Sequence, residues 1–92
     1  ETELDQKARR LSVVQPRLTS TLLRQAPATV VVIFIVDENG RVQDPKVQRT
    51  TNPSFDRSAL AAIKQWKFEP AKVQGRSVSS RLRQSFSFEN NT

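Results

Sequence analysis

The chain has 92 residues and a formal net charge of +6, with 36% hydrophobic and 26% charged residues. A chain of this length forms one small domain with a modest core, and no run approaches the roughly 20 apolar residues that a membrane-spanning helix needs. Cysteine and histidine are both absent, which excludes disulfides, thiolate nucleophiles, imidazole bases and the usual ligands of transition metals.

The chain opens with residues 1–13, a segment of mixed polarity that does not begin with methionine. We expect this segment to be a poorly ordered lead-in or the remnant of a linker, and the chain to be a piece of a longer protein. The folded domain is therefore predicted to occupy residues 14–92.

A short helix follows, bounded by two prolines. Pro16 suits the first turn of a helix and Pro27 cannot continue one, so the pattern predicts a helix from Arg17 to Ala26. Leu22 and Leu23 are expected to be its contacts with the core.

Two strands joined by a tight turn come next. The segment Val30–Val36 is rich in β-branched residues and apolar on both faces, which is typical of a central strand. The residues Asp37–Gly40 predict a hairpin connection in which the glycine takes a positive φ at no steric cost. The second strand, Arg41–Thr50, contains a proline, so we expect a bulge at Asp44–Pro45 and an edge position for this strand.

The main helix is predicted to open at Asn52–Ser54, with Ser54 as its N-cap, and to stop before Pro70. One apolar stripe recurs along it at helical spacing and is expected to be buried. Its members are Phe55, Ala59, Ala62, Ile63 and Trp66. We favour a core position for Trp66 over an exposed stacking role because it completes this stripe.

The last strand is predicted over residues 78–88, where apolar and polar residues alternate. The core face carries Val78, Ser80, Leu82, Gln84, Phe86 and Phe88, and the wet face carries Ser79, Arg81, Arg83, Ser85 and Ser87.

The order helix, strand, strand, helix, strand (αββαβ) predicts an α+β fold. We expect a small two-layer domain, with a three-stranded antiparallel sheet and two helices on one face. The last strand then lies at an edge, where unpaired backbone groups are a template for another chain.

The carboxylates do not form a catalytic pair. Asp37 and Glu38 belong to a turn, Asp56 to a helix start and Glu69 to a loop, and the two glycines do not make a phosphate-binding loop. We therefore expect a binding module that is not an enzyme and needs neither a cofactor nor a metal.

A basic nucleic-acid-binding domain is an alternative, because four cations and no acid lie between residues 70 and 88. However, Phe86 and Phe88 fall on the face opposite Arg81 and Arg83, whereas a stacking platform needs both on the solvent side. No nucleic acid is expected as a partner. Binding to single-stranded oligonucleotide that weakens steeply with salt would favour this alternative.

Several pieces of the chain resemble the C-terminal domain of the TonB energy-transducer family. The residues Val36–Val42 are similar to the family's turn between its first two strands, and Trp66–Pro70 to its aromatic-basic-aromatic-x-Pro segment. The match, which covers roughly residues 16–89, is completed by Phe55 with Ala59, Leu60, Ala62 and Ile63, by Gly75–Arg76 and by the closing Phe86–Phe88. The order and spacing of these pieces carry the resemblance.

The resemblance implies a periplasmic domain of a protein anchored in the inner membrane, where a proton-driven motor is its partner. Such domains bind the "TonB box" peptide of an outer-membrane transporter by adding it as a strand to the last strand, and they transmit mechanical work for nutrient uptake. The candidate partner-binding residues on that strand are Ser79, Ser80, Arg81, Leu82, Arg83, Gln84 and Ser85. Gln15 and Pro16 are added because they correspond to the family's Tyr-Pro pair, although this chain lacks the tyrosine.

Two further possibilities remain open. A TolA-like structural domain of the cell envelope also adds strands, and it differs in not binding a TonB-box peptide. The exposed edge could also pair with itself in a homodimer.

Overall fold

The computed structural model describes residues 6–89, and the regular elements are those of this part of the chain. In chain order they are β1 (Arg9–Ser12), α1 (Ser20–Gln25), β2 (Ala28–Val36), β3 (Val42–Thr50), α2 (Asp56–Ile63), β4 (Lys67–Glu69), β5 (Ala71–Val73), β6 (Arg76–Val78) and β7 (Ser80–Phe88). A 3-10 turn, Pro53–Phe55, leads directly into α2.

The main sheet is antiparallel and has the strand order β3-β2-β7. This arrangement confirms the predicted α+β fold, with the apolar strand β2 in the centre and a partner on each side. The tight turn after β2 makes β3 antiparallel to β2. The connection from β3 to β7 includes α2 and is long enough to cross the sheet, so β7 runs parallel to β3 and is also antiparallel to β2.

The core lies on one face of this sheet. Alternate residues of β2 from Ala28 to Val36 are buried, and Val30, Val32 and Val36 are completely inaccessible to solvent. The predicted helical stripe is buried as well, and Trp66 is only 6% exposed, which confirms its core position. Leu22 of α1 packs against the same cluster, so both helices lie on this face.

Strand β3 contains two irregularities in its pairing with β2. Asp44 and Pro45 together lie opposite Phe34, and Asp44 adopts a positive φ of 49°. The predicted bulge at Asp44–Pro45 is therefore confirmed. A second register shift, at Gln48, was not predicted; it lies between the pairs Val31–Arg49 and Val32–Val47.

Both helices are shorter than predicted. Helix α1 begins at Ser20 because the Thr19 side chain accepts a hydrogen bond from the backbone N–H of Leu22. Of the two leucines expected in the core, Leu22 is half-buried, whereas Leu23 is 37% exposed, so the prediction for Leu23 was wrong.

The start and end of the main helix also differ from the prediction. Ser54 is not the N-cap. Asn52 caps the 3-10 turn, because its side chain accepts the Ser54 N–H at 3.0 Å, and Phe55 occupies the N-cap of α2 without a side-chain hydrogen bond. The helix ends at Ile63, and the residues that follow Trp66 form strand β4. Two of the residues at 66–68 are aromatic, and aromatic residues are enriched in strands.

Two small sheets were missed. Strand β1 pairs with β4, so residues 9–12 are not the poorly ordered lead-in that the sequence favoured. Strands β5 and β6 form a hairpin, so the last strand of the main sheet begins at Ser80 and not at residue 78. Residues 1–5 and 90–92 lie outside the described residues, and the domain boundary between residues 13 and 14 stays a prediction.

Candidate functional site

Strand β7 is a long edge of the main sheet. It pairs with β2 over all nine of its residues, from Ser80 opposite Val36 to Phe88 opposite Ala28, with no register shift. Among residues 6–89 no strand pairs with its other side. The edge is therefore straight, regular and available to a further strand.

The hydrogen bonds of β2 show which backbone groups of β7 point outward. On the β3 side, the Thr29 carbonyl accepts from the Thr51 N–H at 3.0 Å, and the Asp37 N–H donates to the Arg41 carbonyl at 2.9 Å. Backbone groups alternate in direction along a strand, so odd-numbered residues of β2 face β3 and even-numbered ones face β7. The even residues of β7 pair with these even residues.

The outward-facing backbone groups of β7 consequently belong to its odd residues: Arg81, Arg83, Ser85 and Ser87. Their side chains are all exposed on the face of the sheet that carries no helix. One outward carbonyl is already engaged, because the Gln84 side-chain amide donates to the Ser85 carbonyl at 2.9 Å. The other side of β7 faces inward, with Leu82 and Gln84 half-buried.

The opposite edge of the sheet suits a further strand less well. Strand β3 contains Pro45, which lacks a backbone donor, and its two register shifts interrupt the regular row of backbone groups. We therefore place the candidate site at β7.

A groove of about 630 Å³ runs beside the β7 edge. One wall is β7 from Gln84 onward, and the other is the segment from residue 10 to residue 18. Trp66 fixes this second wall, because its indole N–H donates to the Val14 carbonyl at 2.9 Å. Phe86 and Trp66, whose ring centroids are 5.6 Å apart, contribute to its lining.

The predicted site residues are brought together in part. Gln15 and Pro16 line the groove, as do Gln84 and Ser85, so the two groups lie on facing walls. Arg81 and Arg83 lie further along the edge with Leu82.

The first two predicted residues of the site are placed differently. Ser79 is exposed between β6 and β7 and does not belong to the strand. Ser80 begins β7, and its hydroxyl is shielded from solvent without a hydrogen-bond partner among residues 6–89.

The sequence reasoning missed the contribution of the N-terminal segment. Val13 is 49% exposed beside the groove, and Leu18 lines it, although residues up to 13 were expected to be a lead-in. The available signal was the alternation of Leu11 with Val13 ahead of Pro16, which is typical of a short strand and not of a linker.

Two ionisable residues, Arg10 and Glu89, line this groove, whereas the two carboxylates with a shifted pKa do not. Hydrogen bonds from the Arg41 backbone and the Gln43 side chain lower the pKa of Asp37, and the Arg9 side chain lowers that of Glu69. Both carboxylates stabilise local structure, the turn and the β1–β4 pair. Within residues 6–89 no three metal-ligating side chains cluster, and no helix is long and apolar enough to cross a membrane.

Comparisons with known proteins agree on one family. The family model described as "Gram-negative bacterial TonB protein C-terminal" matches residues 22–89. The chain is 35% identical over 60 residues to Protein TonB of Xanthomonas campestris pv. campestris, in two strains. This match covers 64% of the chain but only 27% of the relative, so the chain spans about a quarter of the length of these curated relatives.

A solved structure extends the likeness to the fold. The solution NMR structure of the Pseudomonas aeruginosa TonB CTD superposes with a TM-score of 0.75 at 25% identity. The superposition covers 92% of this chain and 88% of that one.

Proposed function

Because the chain belongs to the Gram-negative bacterial TonB protein C-terminal family, we propose that it is the peptide-binding module of a TonB-like energy transducer. It captures the TonB box of an outer-membrane transporter by strand addition to β7. The whole protein is anchored in the inner membrane and coupled there to a proton-driven motor. This domain works in the periplasm, transmits mechanical work and catalyses no reaction.

The regular outward edge of β7 is the observation that carries the proposal. The outward N–H groups of its odd residues Arg81, Arg83, Ser85 and Ser87 have no partner among residues 6–89, and the Ser85 carbonyl is the one outward acceptor already engaged. An incoming strand that satisfies them gains hydrogen bonds worth about 0.5–1.5 kcal/mol each. Main-chain bonding of this kind supplies affinity and leaves selectivity to the side chains.

The surroundings of the edge favour an acidic peptide with some apolar side chains. Arg81 and Arg83 are exposed on the helix-free face, where they would meet carboxylates of the added strand. Alternate side chains of that strand point to the other face, where the groove offers Trp66, Phe86 and Leu18. Gln15 and Pro16 would contact the same side chains from the opposite wall.

An NMR titration of the isotopically labelled domain with an acidic TonB-box-like peptide tests the proposal. We expect amide shifts concentrated at residues 80–88, with slowed hydrogen exchange at Arg81, Arg83 and Ser87. The absence of shifts at millimolar peptide would contradict transporter binding through this box and would favour the TolA-like structural role. Shifts that depend on protein concentration without peptide would instead indicate self-pairing of the edge.

Proline substitutions distinguish the outward from the inward residues of β7. Arg83→Pro removes an outward N–H and leaves the pairs with β2 in place, so we expect a native circular dichroism spectrum and peptide affinity about tenfold lower. Gln84→Pro is the matched control: its N–H faces β2, so we expect a loss of about 3 kcal/mol or more in unfolding free energy. Unchanged affinity in a folded Arg83→Pro protein would contradict strand addition at β7.

A further inference from the structure

The helix-free face of the main sheet carries an apolar stripe. Val31, Ile33 and Ile35 of β2 point away from the core, and Ile33 remains 36% exposed. Both helices pack on the other face, as the core residues show. An antiparallel sheet commonly leaves one face in solvent, but that face is usually polar, so an apolar stripe on it requires an explanation.

Each residue of the stripe has at least one cation as a direct cross-strand neighbour, and Ile33 has one on each side. Ile33 lies between Arg83 of β7 and Lys46 of β3, which are its direct partners on the two neighbouring strands. Val31 is next to Arg49, and Ile35 is next to Arg81. Neighbouring strands are about 4.8 Å apart, so two rows of basic side chains run roughly 10 Å from each other along the stripe.

Two members of the stripe, Ile33 and Ile35, line a groove of about 710 Å³ together with Lys46, Arg81 and Arg83. Val31 and Arg49 line an adjoining cavity, which shares Gln48 and Arg83 with this groove. Asp44 is the one acidic residue that lines the groove. Such a groove accepts apolar side chains at its floor and carboxylates at its rims.

We propose that this groove, defined by the stripe and its flanking cations, is a second docking surface for an acidic protein segment. The segment places apolar side chains on Ile33 and its neighbours, and its carboxylates pair with Lys46 and Arg49 on one side and with Arg81 and Arg83 on the other. This surface lies on the helix-free face and reaches Lys46 and Arg49 of β3; it shares the side chains of Arg81 and Arg83 with the proposed strand-addition site but not the outward backbone groups of β7.

Charge and shape select this occupant over two others. A second copy of the chain would present the same basic rows, and like charges would oppose a symmetric face-to-face pair. An anionic membrane would meet the arginine and lysine head groups first, and the shorter apolar side chains between these cations would not reach the acyl region. The observations therefore favour a peptide segment, and the membrane becomes an outcome of the test.

The probe is an end-capped eight-residue peptide that alternates glutamate with valine, added to the labelled domain at low salt. We expect amide shifts at Val31, Ile33, Ile35, Lys46 and Gln48, and little response to a matched peptide with glutamine in place of glutamate. Shifts confined to β7 would overturn the proposal and leave strand addition as the only binding mode, so the two proposals fail separately.

Charge reversal on the β3 side adds a matched pair of variants. We expect Lys46→Glu to weaken peptide binding at least fivefold, and Arg57→Glu, an equal change at an exposed position of α2, to weaken it less than twofold. Ile33→Thr, which keeps a β-branched side chain, should weaken binding at least threefold. Equal losses in Lys46→Glu and Arg57→Glu would indicate a general charge effect and overturn the proposal.

The membrane arm uses vesicles of phosphatidylcholine and phosphatidylglycerol in a three-to-one ratio. No cosedimentation that depends on Ile33 is expected. Ile33-dependent binding to these vesicles, without binding to the acidic peptide, would overturn the proposal in favour of a lipid surface.

Discussion

At the scale of single residues, Gly40 is constrained by a close approach of two backbones. Its φ is +83°, and a Cβ built there would lie 2.0 Å from the Phe68 carbonyl oxygen. The Phe68 N–H also donates to the Gly40 carbonyl at 2.9 Å. The sequence predicts a turn role for Gly40, and the structure adds that Gly40 holds β4 against the turn between β2 and β3.

The two glycines of the chain form a natural comparison. Gly75 has a similar φ of +77°, but a Cβ there has no other atom within 4 Å. We expect Gly75→Ala to cost about 1–2 kcal/mol from the left-handed conformation alone. Gly40→Ala should cost at least about 2 kcal/mol more, because the turn and β4 must also separate. Urea unfolding measures both, and equal losses would contradict the close approach.

The pKa of Glu69 in β4 depends on a contact with the N-terminal strand β1. Its carboxylate accepts hydrogen bonds from the side chains of Arg9 and Gln6, and the Arg9 bond is the main cause of its lowered pKa. We expect Arg9→Gln to raise the pKa of Glu69 towards its usual value, as followed by NMR titration of the side-chain carboxyl. Arg10→Gln, the same change at the neighbouring position, should leave the pKa of Glu69 unchanged. An equal rise of this pKa in both variants would argue against a specific Arg9–Glu69 pair.

At the scale of elements, the bulge in β3 lets Val42 and Val47, which have opposite parity, both pair with core-facing residues of β2. Asp44 adopts a φ of 49°, which aspartate tolerates better than β-branched residues do. We expect Asp44→Gly to change the unfolding free energy by less than about 1 kcal/mol, and Asp44→Val to lower it by about 1–3 kcal/mol. Chemical denaturation decides this, and equal stability of the two variants would contradict a strained conformation at this position.

The elements that sequence patterns predicted well are those with strong periodicity. The strand β2 and the α2 stripe were identified because burial imposes a repeat of two or of about 3.6 residues. The outward edge of β7 followed from the order of the elements. The bulge at Asp44–Pro45 followed from a proline inside an otherwise regular strand.

The short elements were not predictable in the same way. Strands of three or four residues, such as β1 and β4, have too few positions for a pattern and form because distant segments meet. The indole N–H of Trp66 reaches Val14 across 52 positions of sequence, and no local signal encodes that distance. Only Gln15 and Pro16 of the second wall of the candidate site were therefore predicted from the sequence, whereas the edge itself was predicted.

At the scale of the whole molecule, the charge balance opposes the folded state. The chain carries 15 lysines and arginines against nine aspartates and glutamates. Only one ion pair, Arg9 with Glu69, occurs among residues 6–89. Most of the positive charge is therefore held close together without specific compensation, and it is screened by dissolved salt.

Acidification should make repulsion among the cations the main limit on the stability of the folded state. The pKa values of Asp37 and Glu69 are lower in the folded state than their usual values of about 3.9 and 4.3. Their stabilisation is fully present above those usual values and is lost as the pH falls through the lowered ones. Protonation of these two carboxylates also removes negative charge, so the repulsion among the cations grows.

We therefore expect the melting temperature to be nearly constant between pH 6 and pH 5 and to fall by about 10 °C between pH 5 and pH 2.5. Added sodium chloride at about 0.5 M reduces the Debye length to a few ångströms and should recover part of this fall. The fall in melting temperature that salt does not recover comes from loss of the hydrogen bonds to the Asp37 and Glu69 carboxylates. Arg9→Gln, which removes one of these bonds, should make this unrecovered fall smaller. Thermal melts followed by circular dichroism at the two salt concentrations measure both parts. A fall that salt leaves unchanged would show that repulsion among the basic residues does not limit this domain.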